Sequence, residues 1–117
     1  MLPKKYRLKS KYAFTATYKI NNSFHKNGIT LFCGKNKTNA NPTKIGFVVS
    51  KKIHKRAVKR NRIKRLMREA VRLYIKNSSD FDTKYMSLIF VASSKTLDMN
   101  FKEIDKNIKL LMDKIYD

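Results

Sequence analysis

The spacing of apolar residues changes along the chain, and each change predicts an element. From Ala57 to Ile75 the spacing is helical. Advancing about 100° per residue, Ile63, Leu66, Met67, Ala70, Val71 and Tyr74 gather within an arc of roughly 140°. Asn61, Lys64, Arg65, Arg68 and Arg72 fall on the opposite side, with Arg62 on the flank. Arg60 lies at the edge of the apolar arc, which predicts a place at the start of the helix or a side chain that snorkels. A second helical pattern carries Phe101, Ile104, Ile108, Leu111, Met112 and Ile115, and Asn100 with Glu103 three residues on resembles a capping box at its start. Near the N-terminus, Ser10 is placed to cap a short helix from Lys11 to Lys19, which breaks at Asn21 and Asn22. Phe14 and Tyr18, four apart, share one face of it.

Between these helices the period drops to two. In "GITLFCGK", Ile29, Leu31 and Cys33 alternate with Thr30 and Phe32, which predicts a strand whose Phe32 faces away from the other apolar residues. "KIGFVVSKK" and the stretch from Tyr85 to Ala92 also read as strands, separated by polar loops at Lys35 to Lys44 and "KNSSDFDTK". The strands at Ile29 and Lys44 are expected to pair as a hairpin with a long loop. A further short strand near Ser23 to His25 completes the order α-β-β-β-α-β-α, a single α+β domain over residues 1–117.

Charge then changes what the first helix means. The chain has 28 Lys and Arg against 8 Asp and Glu, a net charge of +20. The stretch "KRAVKRNRIKRLMRE", Lys55 to Glu69, holds eight of those cations in fifteen residues. Like charges three and four apart on a helix repel, yet an apolar face runs through the same residues, so the segment is an amphipathic helix rather than a basic tail. A polyanion lying along it removes the conflict. Lys51, Lys52, Lys55 and Arg56 lead into the basic face, and its arginines carry a planar fork suited to phosphate. Phe14, Tyr18 and Phe32 are either core or the walls of a groove where bases stack, as in proteins that hold single-stranded nucleic acid. A duplex reader would instead offer polar, base-reading side chains in a major-groove helix.

Protein-borne catalysis has little to stand on. His25 and His54 have no carboxylate or nucleophile beside them in sequence, and Asp80 with Asp82 reads as a solvated turn rather than a metal site. Cys33, the only cysteine, reads as a small buried hydrophobe, and no catalytic or metal-ligating residue is assigned. "MLPKKYRLKSK" lacks the apolar core of a signal peptide, and the longest aliphatic and aromatic run, Leu88 to Ala92, is too short to span a bilayer, so a cytoplasmic protein is expected.

"RNRIKRLMRE", Arg60 to Glu69, resembles the RNR signature of the bacterial ribonuclease P protein family. "YRLKSKYAFTATYK" is similar to that family's N-terminal pattern, and "KIGFVVSKK" to the strand before its signature helix. The resemblance implies an α/β sandwich whose strand–helix–strand unit crosses over with left-handed sense, against the usual rule. It implies assistance to a catalytic RNA that removes the 5′ leader of precursor tRNA, with Mg2+ held mainly by the RNA, none bound tightly by the protein, and no required protein partner. Matched by position, Arg56, Arg60, Asn61, Arg62, Lys64, Arg65 and Arg68 would face the catalytic RNA. Phe14, Tyr18, Phe32, Ser50, Lys51 and Lys52 would form the cleft for the single-stranded leader. "VASSK" departs from the family pattern at Ser93 and Ser94, so no contact is assigned there. The alternative is a general or ribosome-associated protein that binds structured RNA.

Overall fold

The computed structural model describes residues 2–38, 41–78 and 84–116. After a 3-10 turn at Lys4–Tyr6, the chain forms α1 (Lys11–Ile20), β1 (Asn22–Lys26), β2 (Ile29–Cys33), β3 (Lys44–Val49), α2 (Ala57–Lys76), β4 (Ser87–Ala92), a 3-10 turn at Ser94–Asp98 and α3 (Phe101–Tyr116). The order is the expected one, including the short strand at β1. The strands form one sheet in the order β1-β2-β4-β3. β2 therefore does not pair with β3. The expected hairpin is replaced by an inserted β4, antiparallel to β2 and parallel to β3. A parallel pair needs a long crossover, usually a helix, and α2 supplies it.

Alternation along the strands gives the sheet two different faces. Leu31, Phe90 and Phe47 are aligned across the sheet and belong to the main core, with Ile63, Met67, Ala70 and Val71 of α2 and Ile104, Ile108, Leu111 and Met112 of α3. The Phe47 and Phe90 rings stack at 5.7 Å. Cys33 is fully buried in the same core. The opposite face carries Phe32, Ile89 and Gly46 in one cross-sheet row and Thr30, Val91 and Val48 in the next.

Local signals fix the helix ends. Ser10 Oγ accepts from the Ala13 N–H at 3.4 Å, and α1 stops at Asn21, which takes the left-handed conformation at φ 57°. Asn100 and Glu103 make the reciprocal capping box, at 3.0 and 3.4 Å. α1 then lies on the second face of the sheet. Thr17 is buried there, its hydroxyl 2.5 Å from that of Ser87 on β4.

Candidate nucleic-acid interface

Two surfaces collect the residues expected to function. The first is formed by α1 and the sheet face beneath it. Phe14 lies over Gly46 so closely that a Cβ built there would fall 2.5 Å from its ring. Only glycine permits this approach. One helical turn on, Tyr18 meets the Phe32 ring edge to face at 4.9 Å. Tyr18 is 37% exposed and Phe14 and Phe32 are half-buried, so the three rings stand outside the main core with part of their surface open. Burial on one side raises the Tyr18 phenol above its ordinary pKa.

Ser50, Lys51 and Lys52 follow β3 in an exposed turn. Ser50 shapes it, its Oγ accepting from the Lys52 N–H at 3.1 Å and its carbonyl from the Ile53 N–H at 3.0 Å. Sequence reasoning left Gly46, Thr30 and His25 unassigned. The alternation that separates Phe32 from Leu31 already placed Thr30 on the aromatic face. His25, opposite Thr30 in the register, bonds it through Nδ1 at 2.9 Å.

The second surface is α2. Arg56 caps it and is exposed, like Asn61 and Arg65, while Lys64 and Arg68 are half-buried. Among the described residues, Lys59, Lys64, Arg65 and Arg68 make no side-chain hydrogen bond or ion pair. Arg60 and Arg62 are engaged in the fold. Arg60 Nη1 donates to the His54 and Lys55 carbonyls, both at 2.8 Å, and Arg62 Nη2 donates to the Met99 carbonyl at 3.0 Å. Glu69, the one acid of α2, is held by the Arg72 guanidinium, whose hydrogen bonds keep its carboxyl below the usual range. The helix thus shows its surroundings a row of uncompensated cations.

Asp80, Asp82 and Asp117 lie outside the described residues. Among the described residues no three His, Cys, Asp or Glu side chains gather as metal ligands, and no helix is long and apolar enough to cross a membrane.

A family model described as Ribonuclease P matches residues 2–116. The ribonuclease P protein component of Clostridium kluyveri is 38% identical over 112 residues, 93% of each chain. That of Clostridioides difficile is 37% identical over 107 residues, 90% of this chain and 87% of its own. Among solved structures, the RNase P protein of Staphylococcus aureus superposes with a TM-score of 0.81 at 26% identity, covering 97% of both chains. The RNase P protein of Thermotoga maritima shares the fold, with a TM-score of 0.76 at 21% identity over 95% of this chain and 98% of its own.

Proposed function

Because this chain belongs to the ribonuclease P protein family, we propose that its two surfaces bind two parts of one RNA-processing complex. The family's role is removal of the 5′ leader from precursor tRNA. In this reading the cationic face of α2 lies against the catalytic RNA, and the cleft of Phe14, Tyr18 and Phe32 takes the single-stranded leader. Lys51 and Lys52 meet leader phosphates at the end of β3. The observation that carries the reading is the pairing of half-open aromatic rings on one face with the uncompensated cations of α2. Rings hold unpaired bases without reading them, and arginines neutralise phosphates.

The chemistry belongs to the RNA. Divalent ions want several oxygen ligands, and the described residues of α2 and the aromatic face offer mainly cations, with one carboxylate, Glu69, already held by Arg72. Mg2+ would therefore be held by RNA phosphates, where it would activate water for the displacement. This chain's own part is to bind, to orient the leader and to lower the electrostatic cost of bringing two RNAs together.

Reconstitution with a bacterial ribonuclease P RNA at low Mg2+ tests the assignment. Added protein should raise cleavage of precursor tRNA and bind precursor more tightly than mature tRNA. Equal affinity for both would leave only a general RNA-binding protein. Within the cleft, Phe14→Ala and Tyr18→Ala should each cost about 1–3 kcal/mol of precursor binding, the usual worth of a base–aromatic stack. Mature tRNA should be affected far less, and an equal loss on both would return the rings to a structural role.

A further inference from the structure

β3 ends the sheet, and among the described residues its outer edge is only partly covered. The N-terminal segment meets it at Arg7 against Ile45, where the Leu8 N–H donates to the Ile45 carbonyl at 2.9 Å. Main-chain groups alternate sides along a strand, so the Phe47 N–H and C=O point off the same edge. Among the described residues no segment pairs with them there. Beside this edge, between the N-terminal segment, β3 and α2, opens a cleft of about 780 Å³. Leu8, Phe47 and Leu66 give it apolar walls. Lys9, Arg65 and Arg68 also line it, and Glu69, the one acid among the described lining residues, is already bound to Arg72.

These features complement the three parts of a nucleotide. Apolar walls suit the face of a base, a free main-chain donor and acceptor suit its hydrogen-bonding edge, and unpaired guanidinium groups suit its phosphate. The volume lies within the range of ordinary ligand pockets. We propose that this cleft receives one unstacked nucleotide of the RNA that lies along α2, an inference that rests on the reading of α2 given above. An extended peptide could add to the same edge, but a peptide has no need of three cations lining the cleft. A looped-out nucleotide uses all of them, because RNA is read in sequence where its bases are unpaired.

The contact predicts a signature that phosphate neutralisation alone does not produce. Leu8→Gln keeps the charge and the main-chain bond to Ile45 while placing an amide against the base. It should weaken RNA binding by about five- to 150-fold, the range of one lost base contact. The slope of log affinity against log salt should stay as in the wild type, since no phosphate contact is lost. In the wild-type protein, adding the RNA should slow hydrogen exchange of the Phe47 amide. That second measurement stands even where Leu8→Gln folds poorly, as thermal melting would reveal. Wild-type affinity in a folded Leu8→Gln, or a Phe47 amide that exchanges equally fast with and without RNA, would overturn the proposal. Protection of Phe47 by an acidic peptide but not by RNA would overturn it equally. Failure of the broader reading shows elsewhere, as loss of the preference for precursor over mature tRNA in the wild type.

Discussion

Arg60 and Arg62 both turn their guanidinium groups to the fold, while Arg65 and Arg68 of the same helix make no side-chain hydrogen bond or ion pair among the described residues. A guanidinium has five N–H donors, and Arg60 spends Nη1 on two adjacent carbonyls of the β3–α2 connection. That clamp sets the path of the segment bearing Lys51, Lys52, Lys55 and Arg56. An ammonium keeps the charge but lacks the planar fork, so Arg60→Lys should speed amide exchange across residues 51–56 while α2 itself stays protected. Unchanged exchange there would mean that the connection holds without the clamp. Gly46 makes the complementary point by having no side chain. In Gly46→Ala the new methyl meets the Phe14 ring, and overpacking of this kind costs about 1–3 kcal/mol. Urea unfolding measures that cost, and unaltered stability would show that Phe14 swings clear freely. Cys33 is a third case, in which burial pushes the thiol up from 9.0 to about 12. Between those values the unfolded chain releases a proton that the folded chain keeps, so this group's contribution to stability falls as pH rises above about 9. Wild type should exceed Cys33→Ala in urea midpoint at pH 8, and the gap should narrow by pH 10.5. A gap that stays constant would mean the thiol titrates alike in both states.

Among the elements, α2 was the most legible from sequence, because burial and charge each followed the helical period. Ile63, Met67, Ala70 and Val71 are its buried residues and Leu66 and Tyr74 pack at the margin, as the arc predicted. The edge position of Arg60 also came true, at the fourth residue of the helix and half-buried. Strand pairing was less legible. Alternation assigns each side chain to a face but does not name the neighbouring strand, so β2 and β3 looked like a hairpin although β4 lies between them. The β3–α2–β4 order held the corrective, since a strand, a long helix and a strand form a parallel unit. The aromatic face was half legible. The spacing of Phe14 and Tyr18 put both rings on one side of α1, while the close approach over Gly46 depends on a helix crossing a sheet, which no local pattern encodes. For α2 as an element, Arg65→Ala should lower the salt slope of RNA binding by about one unit, as for the loss of one phosphate contact. An unchanged slope would remove Arg65 from the phosphate contacts.

At the scale of the whole molecule, a net charge of +20 on 117 residues sets two opposite salt dependences. Alone, the folded chain gathers its cations more closely than the unfolded chain does, so self-repulsion opposes folding and added salt screens it. Bound to RNA, the same cations are compensated, and salt competes with them through the counterions released on binding. The free protein should therefore melt at a higher temperature in 200 mM than in 50 mM NaCl. A gain on the order of 1 kcal/mol corresponds to roughly 4 °C for a chain near this size. Over the same interval, a surface making roughly six to ten phosphate contacts should lose about 10³- to 10⁵-fold in RNA affinity. Melting of the free protein and of its RNA complex across that series checks both effects, because the two midpoints should move in opposite directions. A free-protein midpoint that falls with salt would show that attraction within the fold outweighs the repulsion along α2. The RNA would then no longer be needed to explain how the chain tolerates so many like charges on one helix.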